Sequence, residues 1–334
     1  MNKKIGKFTY ELSSPVSIIA SGAYVGAKEG AGPFCCYFNN VATTDTMGEK
    51  TFEKAERKFF EMALKETLAS NRLKVSDLDY VVGGDILNQL VSINYTARDY
   101  GLALVGLYGA CSTMSESLAV ASIMLSSGVG EIVACLTGSH FSAAERQYRN
   151  PLEFGNQRQT YSQWTATGAG CAVLSRQGEG PKITKVCFGA VTDYGISDIA
   201  NMGAAMAPAA FETLKNFFAD TGTSPNDYSL IATGDLGKLG ADILRDLLKK
   251  EKITLGCNYM DCGHSLFREE QKTFQGGSGA GCSAIVFNTY IMQKLKTKEF
   301  KKVLLVATGA LMSTTVNQQG ETIPCVAHLV EIEA

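Results

Sequence analysis

Apolar and polar positions along this chain repeat. Cys111 to Gly138 (CSTMSESLAVASIMLSSGVGEIVACLTG) and Cys282 to Gly309 (CSAIVFNTYIMQKLKTKEFKKVLLVATG) share one pattern without a gap, 171 positions apart. Each opens on Cys-Ser, runs as an apolar helix of about four turns and closes as a β-branched strand ending in Thr-Gly. Upstream, Asp77 to Asp85 answers Asp227 to Asp235 at an offset of 150, so the second copy carries 21 extra residues between the two blocks. Ser17 to Gly26 answers Val186 to Gly195 in the same way.

Each copy is expected to hold a strand, an amphipathic helix (Glu53 to Ser70; Pro208 to Ala219), a strand, a buried helix, a strand and a final strand (Thr165 to Leu174; Cys325 to Ile332). Strands alternating with helices imply mixed or parallel sheets covered by helices. The helices that start at Ser112 and Ser283 are apolar on nearly every side, which predicts burial between two sheets. Gly178-Glu179-Gly180-Pro181 is the natural joint, giving halves at 1–178 and 179–334.

Composition narrows the functional classes. A chain of 334 residues with 45% hydrophobic and 19% charged residues is globular, and a net charge of −2 gives it no global attraction to nucleic acid or anionic lipid. Ten cysteines at this length do not form a disulfide framework, and their spacing matches no zinc site, so reduced thiols and no metal are expected. The apolar run after Met1-Asn2-Lys3-Lys4 is short and interrupted, and no stretch of about 18 apolar residues follows. Neither a secretory signal nor a membrane span is expected.

Cys111 opens a buried helix, where backbone amides and the helix dipole favour a thiolate. Most cysteines are simply small buried hydrophobes, and its repeat mate Cys282 is read that way. Of the three histidines, His140 lies just past the strand closing at Gly138, at the end where such sheets collect ligands, whereas His264 and His328 suit surface or core roles. From Ala144 to Trp164 the chain changes character: Arg146, Arg149 and Arg158 stand among Gln, Asn, Tyr, Phe and Trp. Guanidinium forks with aromatic faces suit a small aromatic dicarboxylate, and equally a solvated loop or a dimer contact. The run Gly276 to Gly281 lacks the Lys-Ser/Thr ending of a P-loop, so close backbone packing is its expected role.

The internal repeat, the cysteine at a buried helix start and the Gly-rich approach to the matching helix resemble the thiolase and ketoacyl-synthase superfamily. The resemblance implies an α/β thiolase-like fold of two pseudo-symmetric halves, each with a mixed β-sheet, and buried helices between the sheets in five layers, αβαβα. More narrowly, YGACSTM, GSHFSAAERQYRNPLEFGNQR, YSQWTATGAG, DCG and GGSGAGCSA are similar to the stage V sporulation protein AD family of endospore-forming bacteria. That family implies binding of dipicolinic acid (pyridine-2,6-dicarboxylate), free or as its calcium chelate, for uptake into the developing spore. It also implies a homodimer and peripheral attachment at the spore inner membrane through membrane proteins of the same uptake complex.

Condensing relatives need a His and an Asn, or a His in the Gly-rich stretch, where this chain has Ala232-Thr233-Gly234-Asp235 and Gly276-Gly277-Ser278-Gly279. Without those donors a thioester enolate has no stabilisation. The expectation is therefore a non-catalytic, cofactor-free pocket at Cys111 and His140, with anion selectivity from Arg146, Arg149 and Arg158. The alternative is an acyltransferase or thioesterase with Cys111 as nucleophile and His140 as base; a mainly structural subunit of a membrane-associated complex is compatible with the first.

Overall fold

The computed structural model describes residues 2–148 and 157–334. Its strands are β1 (Lys3–Lys4), β2 (Thr9–Val25), β3 (Tyr80–Gly84), β4 (Leu104–Gly106), β5 (Ile132–Ser139), β6 (Trp164–Thr165), β7 (Gly168–Ser175), β8 (Lys182–Phe188), β9 (Leu230–Thr233), β10 (Tyr259–Asp261), β11 (Gly277–Ser278), β12 (Lys302–Ala310) and β13 (Cys325–Glu333). The order β2-β7-β5-β3-β4 is mirrored by β8-β13-β12-β9-β10. In each set the second strand runs antiparallel to both of its neighbours, and the last three strands run parallel to one another.

Period-2 alternation places each strand between two cores. Val133 and Cys135 of β5, Val303 and Leu305 of β12, and Val330 and Ile332 of β13 enter one central cluster. The intervening Ala134 and Leu136 face an outer cluster with Phe59, Phe60 and Leu64. Leu304, Val306 and Leu329 face the other outer cluster, with Phe211, Leu214 and Phe217. Between the strand sets lie the helix Thr113–Ser126, through Met114, Leu118, Ala121 and Leu125, and the segment that begins at Ala280, through Ile285, Val286 and Phe287. The helix Thr113–Ser126 touches β2, β3 and β5 of one set and β12 and β13 of the other. The expected five-layer arrangement is what forms.

The sheets differ from expectation in one respect: β2 is 17 residues long and pairs twice. Its first part pairs with β8 from Thr9 to Ser17 and its second with β7 from Ser17 to Val25, so the two sets join into one continuous eleven-stranded sheet. The sequence pattern does not show several elements, among them Val91–Tyr100 with β4 and Gly237–Lys250 with β10. Strands of three residues are too short to show alternation. The second amphipathic helix also begins at Met202 rather than Pro208, because burial of Met202, Ala205 and Met206 extends it a turn and a half beyond the proline.

Backbone closeness, not phosphate binding, accounts for the Gly-rich run. Gly276 (φ +105°) would place a Cβ 2.4 Å from the Gly263 carbonyl oxygen, and Gly279 has φ +92°. At the end of β12, a Cβ on Gly309 would lie 2.0 Å from the Gly109 carbonyl oxygen. Gly309→Ala must therefore push β12 away from the turn before Cys111, and equilibrium denaturation should show a loss of about 1–3 kcal/mol. Wild-type stability in that variant would mean that the approach is slack.

Candidate active-site remnant

From β4 the chain runs through Leu107 to Gly109 into a tight turn, Ala110–Ser112, and then into the buried helix. Ser112 Oγ donates to the Gly109 carbonyl at 2.7 Å and Thr113 Oγ1 to the Ala110 carbonyl at 2.7 Å, pinning the turn. Ala110 sits at φ +53°, a left-handed conformation that costs a residue with a Cβ about 1–3 kcal/mol and that clusters at functional sites. The strain presents Cys111 to a cavity of about 620 Å³ at the C-terminal ends of the parallel strands, within the range that holds small organic ligands.

Behind the thiol stands Asp235. Its carboxylate is buried and accepts the Cys111 S–H, the Gly279 N–H at 2.9 Å, Ser278 Oγ at 3.2 Å and Thr308 Oγ1 at 3.2 Å. Burial is the chief cause that lifts its pKa to about 7; Asp261 adds repulsion, and the donors offset part of the rise. Asp261 is itself held by Thr233 Oγ1 and the Leu236, Gly237 and His264 amides, at 2.7–2.9 Å. A carboxylate beside a thiol is the reverse of the imidazolium that activates a catalytic cysteine.

Two tyrosines, Tyr108 and Tyr148, line the cavity. Tyr148 donates to the Ile86 carbonyl, Gln147 Nε2 reaches the same oxygen at 3.3 Å, and the Tyr108 and Tyr148 hydroxyls are 3.3 Å apart. Across the cavity the parallel pairing of β11 with β6 sets Ser278 beside Thr165. Among the described residues the lining contains no Lys, Arg or His.

The expected site therefore comes together only at Cys111. His140 is buried, away from the lining, with its ring near Phe52 and Phe59. Its Nε2 meets the Asp45 carbonyl at 2.9 Å, and its Nδ1 accepts the Ala143 amide at 3.4 Å. Those partners require the neutral ring, and burial lowers its pKa further, so His140 caps the helix Phe141–Tyr148 instead of serving Cys111. Arg146 pairs with Glu53 and lies over Phe52. Arg158 reaches the Gln163 carbonyl and lies over Trp164 at 4.9 Å, and Trp164 stacks on Phe141. Neither arginine lines the cavity: helical spacing turns Ala144, Gln147 and Tyr148 toward it and Arg146 away, and Arg158 is held against Trp164 and the Gln163 carbonyl. Arg149 lies outside the described residues. Asp235 was missed as a site residue, although the repeat had already paired it with Asp85, a second buried acid at a strand end.

Comparison with known proteins adds the family. A model of the stage V sporulation protein AD family matches residues 6–333. The chain belongs to that family. Its stage V sporulation protein AD relative in Bacillus subtilis (strain 168) is 40% identical over 331 residues, covering 99% of this chain and 98% of that protein. Solved structures give the fold: 3-oxoacyl-[acyl-carrier-protein] synthase III from Aquifex aeolicus has a TM-score of 0.60 at 15% identity, over 96% of this chain and 100% of its own. A variant of OleA from Xanthomonas campestris has a TM-score of 0.63 at 12% identity, over 97% and 99%. This member of the stage V sporulation protein AD family is thus thiolase-like, and no helix among its described residues is long and apolar enough to cross a membrane.

The buried acids make stability fall toward alkaline pH. Glu29, whose Oε1 accepts the Thr167 amide at 3.0 Å, is lifted by burial to about 8, and Asp235 to about 7, from ordinary values of 4.5 and 3.8. Between those limits the folded chain holds protons that the unfolded chain has released, so stability decreases as pH rises. His140 and His328 act in the opposite sense, but only below their ordinary value of 6.5. Thermal melts should show Tm decreasing from pH 6.5 to 8.5, with a shallower slope in Glu29→Gln; a Tm that rises over this window contradicts the assignment.

Proposed function

We propose that this protein binds dipicolinic acid, free or as its calcium chelate, in the cavity at Cys111 without covalent chemistry, and serves its uptake into the developing spore. One observation carries the non-catalytic reading: the thiol faces a buried carboxylate, Asp235, while His140 is committed to a helix cap. Membership of the stage V sporulation protein AD family supports the spore context, and the family resemblance supplies the ligand. A cavity of about 620 Å³ walled by Ile86, Met202 and Leu311 and furnished with hydroxyls of Tyr108, Tyr148 and Ser278 suits a flat, polar-edged ring. In this reading the protein works as a homodimer at the spore inner membrane and passes its ligand to membrane partners, in keeping with the lack, among the described residues, of any helix long and apolar enough to cross a membrane.

Acyl transfer is the competing reading, favoured by the thiolase-like fold neighbours and by Asp235, whose pKa of about 7 would fit a base for Cys111. Two measurements separate them. Calorimetry with dipicolinate, with and without calcium, should give saturable heat that Cys111→Phe, which fills the cavity floor, reduces at least about tenfold (1.4 kcal/mol). Mass spectrometry after exposure to acyl-CoA should find Cys111 unmodified. Absence of binding by the wild type, or a stable acyl group on Cys111, would overturn the proposal.

A further inference from the structure

The two copies of the repeat leave their buried helices in chemically different ways. Between the helical run 280–296 and β12 the second copy reads QKLKTKEFKK, residues 293–302, with five lysines and one glutamate. The matching stretch of the first copy, 122–131, reads SIMLSSGVGE and holds no lysine or arginine. Both do the same structural task. The Gly128 amide donates to the Leu125 carbonyl at 2.9 Å and the Lys298 amide to the Leu295 carbonyl at 3.0 Å, each just past the end of its helix. The backbone there is left-handed in both, φ +87° at Gly128 and +59° at Lys298. Glycine adopts that conformation freely, whereas a side chain makes it costly. The fold therefore does not call for these lysines, and at 298 it disfavours one.

Their charges are only partly committed. Lys302 pairs with Glu331 and Glu333, and Lys294 pairs with Glu299. Lys296, Lys298 and Lys301 are exposed and form no ion pair among the described residues. Half-buried aromatic rings adjoin them: Tyr290 packs edge-on against Tyr37, with centroids 4.9 Å apart, and against Phe300 at 6.0 Å, while Lys294 Nζ lies 5.9 Å from the Tyr37 ring. Aromatic rings fringed by lysine stems suit a boundary between water and lipid headgroups.

We infer that this lysine-rich helix exit, with its aromatic neighbours, is a docking surface for an anionic lipid bilayer. The inference does not rest on the ligand proposed above. With a net charge of −2 the whole chain is not drawn to such a surface, so the attraction is local to this face. Lysine ammoniums on flexible stems act as point charges without fixed geometry, which matches a fluid field of phosphate headgroups. Recognition of a carboxylate on a protein partner favours the planar fork of arginine, and this stretch has none. Each lysine near an anionic surface strengthens attachment about fivefold, so the three uncommitted ones together supply roughly a hundredfold. β12 then runs from Lys302 to Gly309 and Ala310 in the cavity lining, about 26 Å at ~3.3 Å per residue. A chain docked on this face holds its cavity at the far end, away from the lipid.

The test is cosedimentation of the full chain with vesicles of phosphatidylcholine alone and of phosphatidylcholine with phosphatidylglycerol in equal parts. Wild type should bind the mixed vesicles, not the neutral ones, and should be released as added salt shortens the screening length. The triple variant Lys296→Gln, Lys298→Gln, Lys301→Gln should bind at least about tenfold more weakly. Lys50→Gln, Lys65→Gln, Lys74→Gln removes the same charge from exposed sites in the first copy and should bind as wild type does. Thermal melts establish that both fold. Lys298→Gly separates charge from structure: its Tm should rise, because glycine relieves the left-handed residue, while its vesicle binding falls about fivefold. Equal losses in the two triple variants, or full binding by Lys298→Gly, would overturn the assignment of this face. Failure of the wild type to bind anionic vesicles overturns it as well and leaves the face to an acidic protein partner.

Discussion

The Asp235 carboxylate is the contact on which the site depends, because its four donors come from three separate stretches of chain. Cys111 arrives from the turn before the central helix, Ser278 and Gly279 from the Gly-rich run, and Thr308 from β12. A buried carboxylate without partners is among the costliest groups to fold around, so the four donors are a condition for burying it. The same donors fix the floor of the cavity as one rigid piece. The close approach of Gly309 to the Gly109 carbonyl is part of that arrangement, since any side chain at 309 would separate β12 from the Cys111 turn.

Asp85 shows what the repeat did with the equivalent position. It too closes a strand, is buried and accepts backbone amides, those of Leu87 and Ile93, each at 2.9 Å. There the acid organises a loop whose next residue, Ile86, lines the cavity and whose Gln89 and Leu90 both adopt positive φ. One carboxylate thus shapes a wall and its mate shapes the floor. Both have pKa values raised by burial, to about 6 and about 7, which ties the cavity's shape to protons in a way that an apolar frame would not.

The architecture was legible because it is written in periodicities. Alternation in β5, β12 and β13 and the all-round apolar surface of Thr113–Ser126 are local patterns, and the repeat showed that they occur twice. The site was legible only at Cys111. Proximity to a strand end told correctly that His140 lies at the right edge of the sheet, but not which way its ring turns, and the ring turns toward Phe52 and Phe59. A helix over Phe141–Tyr148 would have separated Arg146 from Ala144, Gln147 and Tyr148 by spacing alone, yet the polar and aromatic residues there obscure the short apolar face. The contact between Cys111 and Asp235 joins opposite halves of the repeat, and no local pattern encodes it.

The cysteine at 111 then has a structural explanation that needs no chemistry. The left-handed Ala110 is held by the two hydroxyl bonds of the turn, and a small polarisable side chain fits between that turn and Asp235. Serine would supply a stronger donor to the same carboxylate but would also bring a more polar, more readily hydrated group to the cavity floor. Alanine would leave one lobe of Asp235 without its donor and open the charge to the cavity. A cysteine satisfies the acid and covers it with a soft, nearly apolar sulfur. A cysteine at the start of this buried helix can therefore serve as the lid on a buried carboxylate.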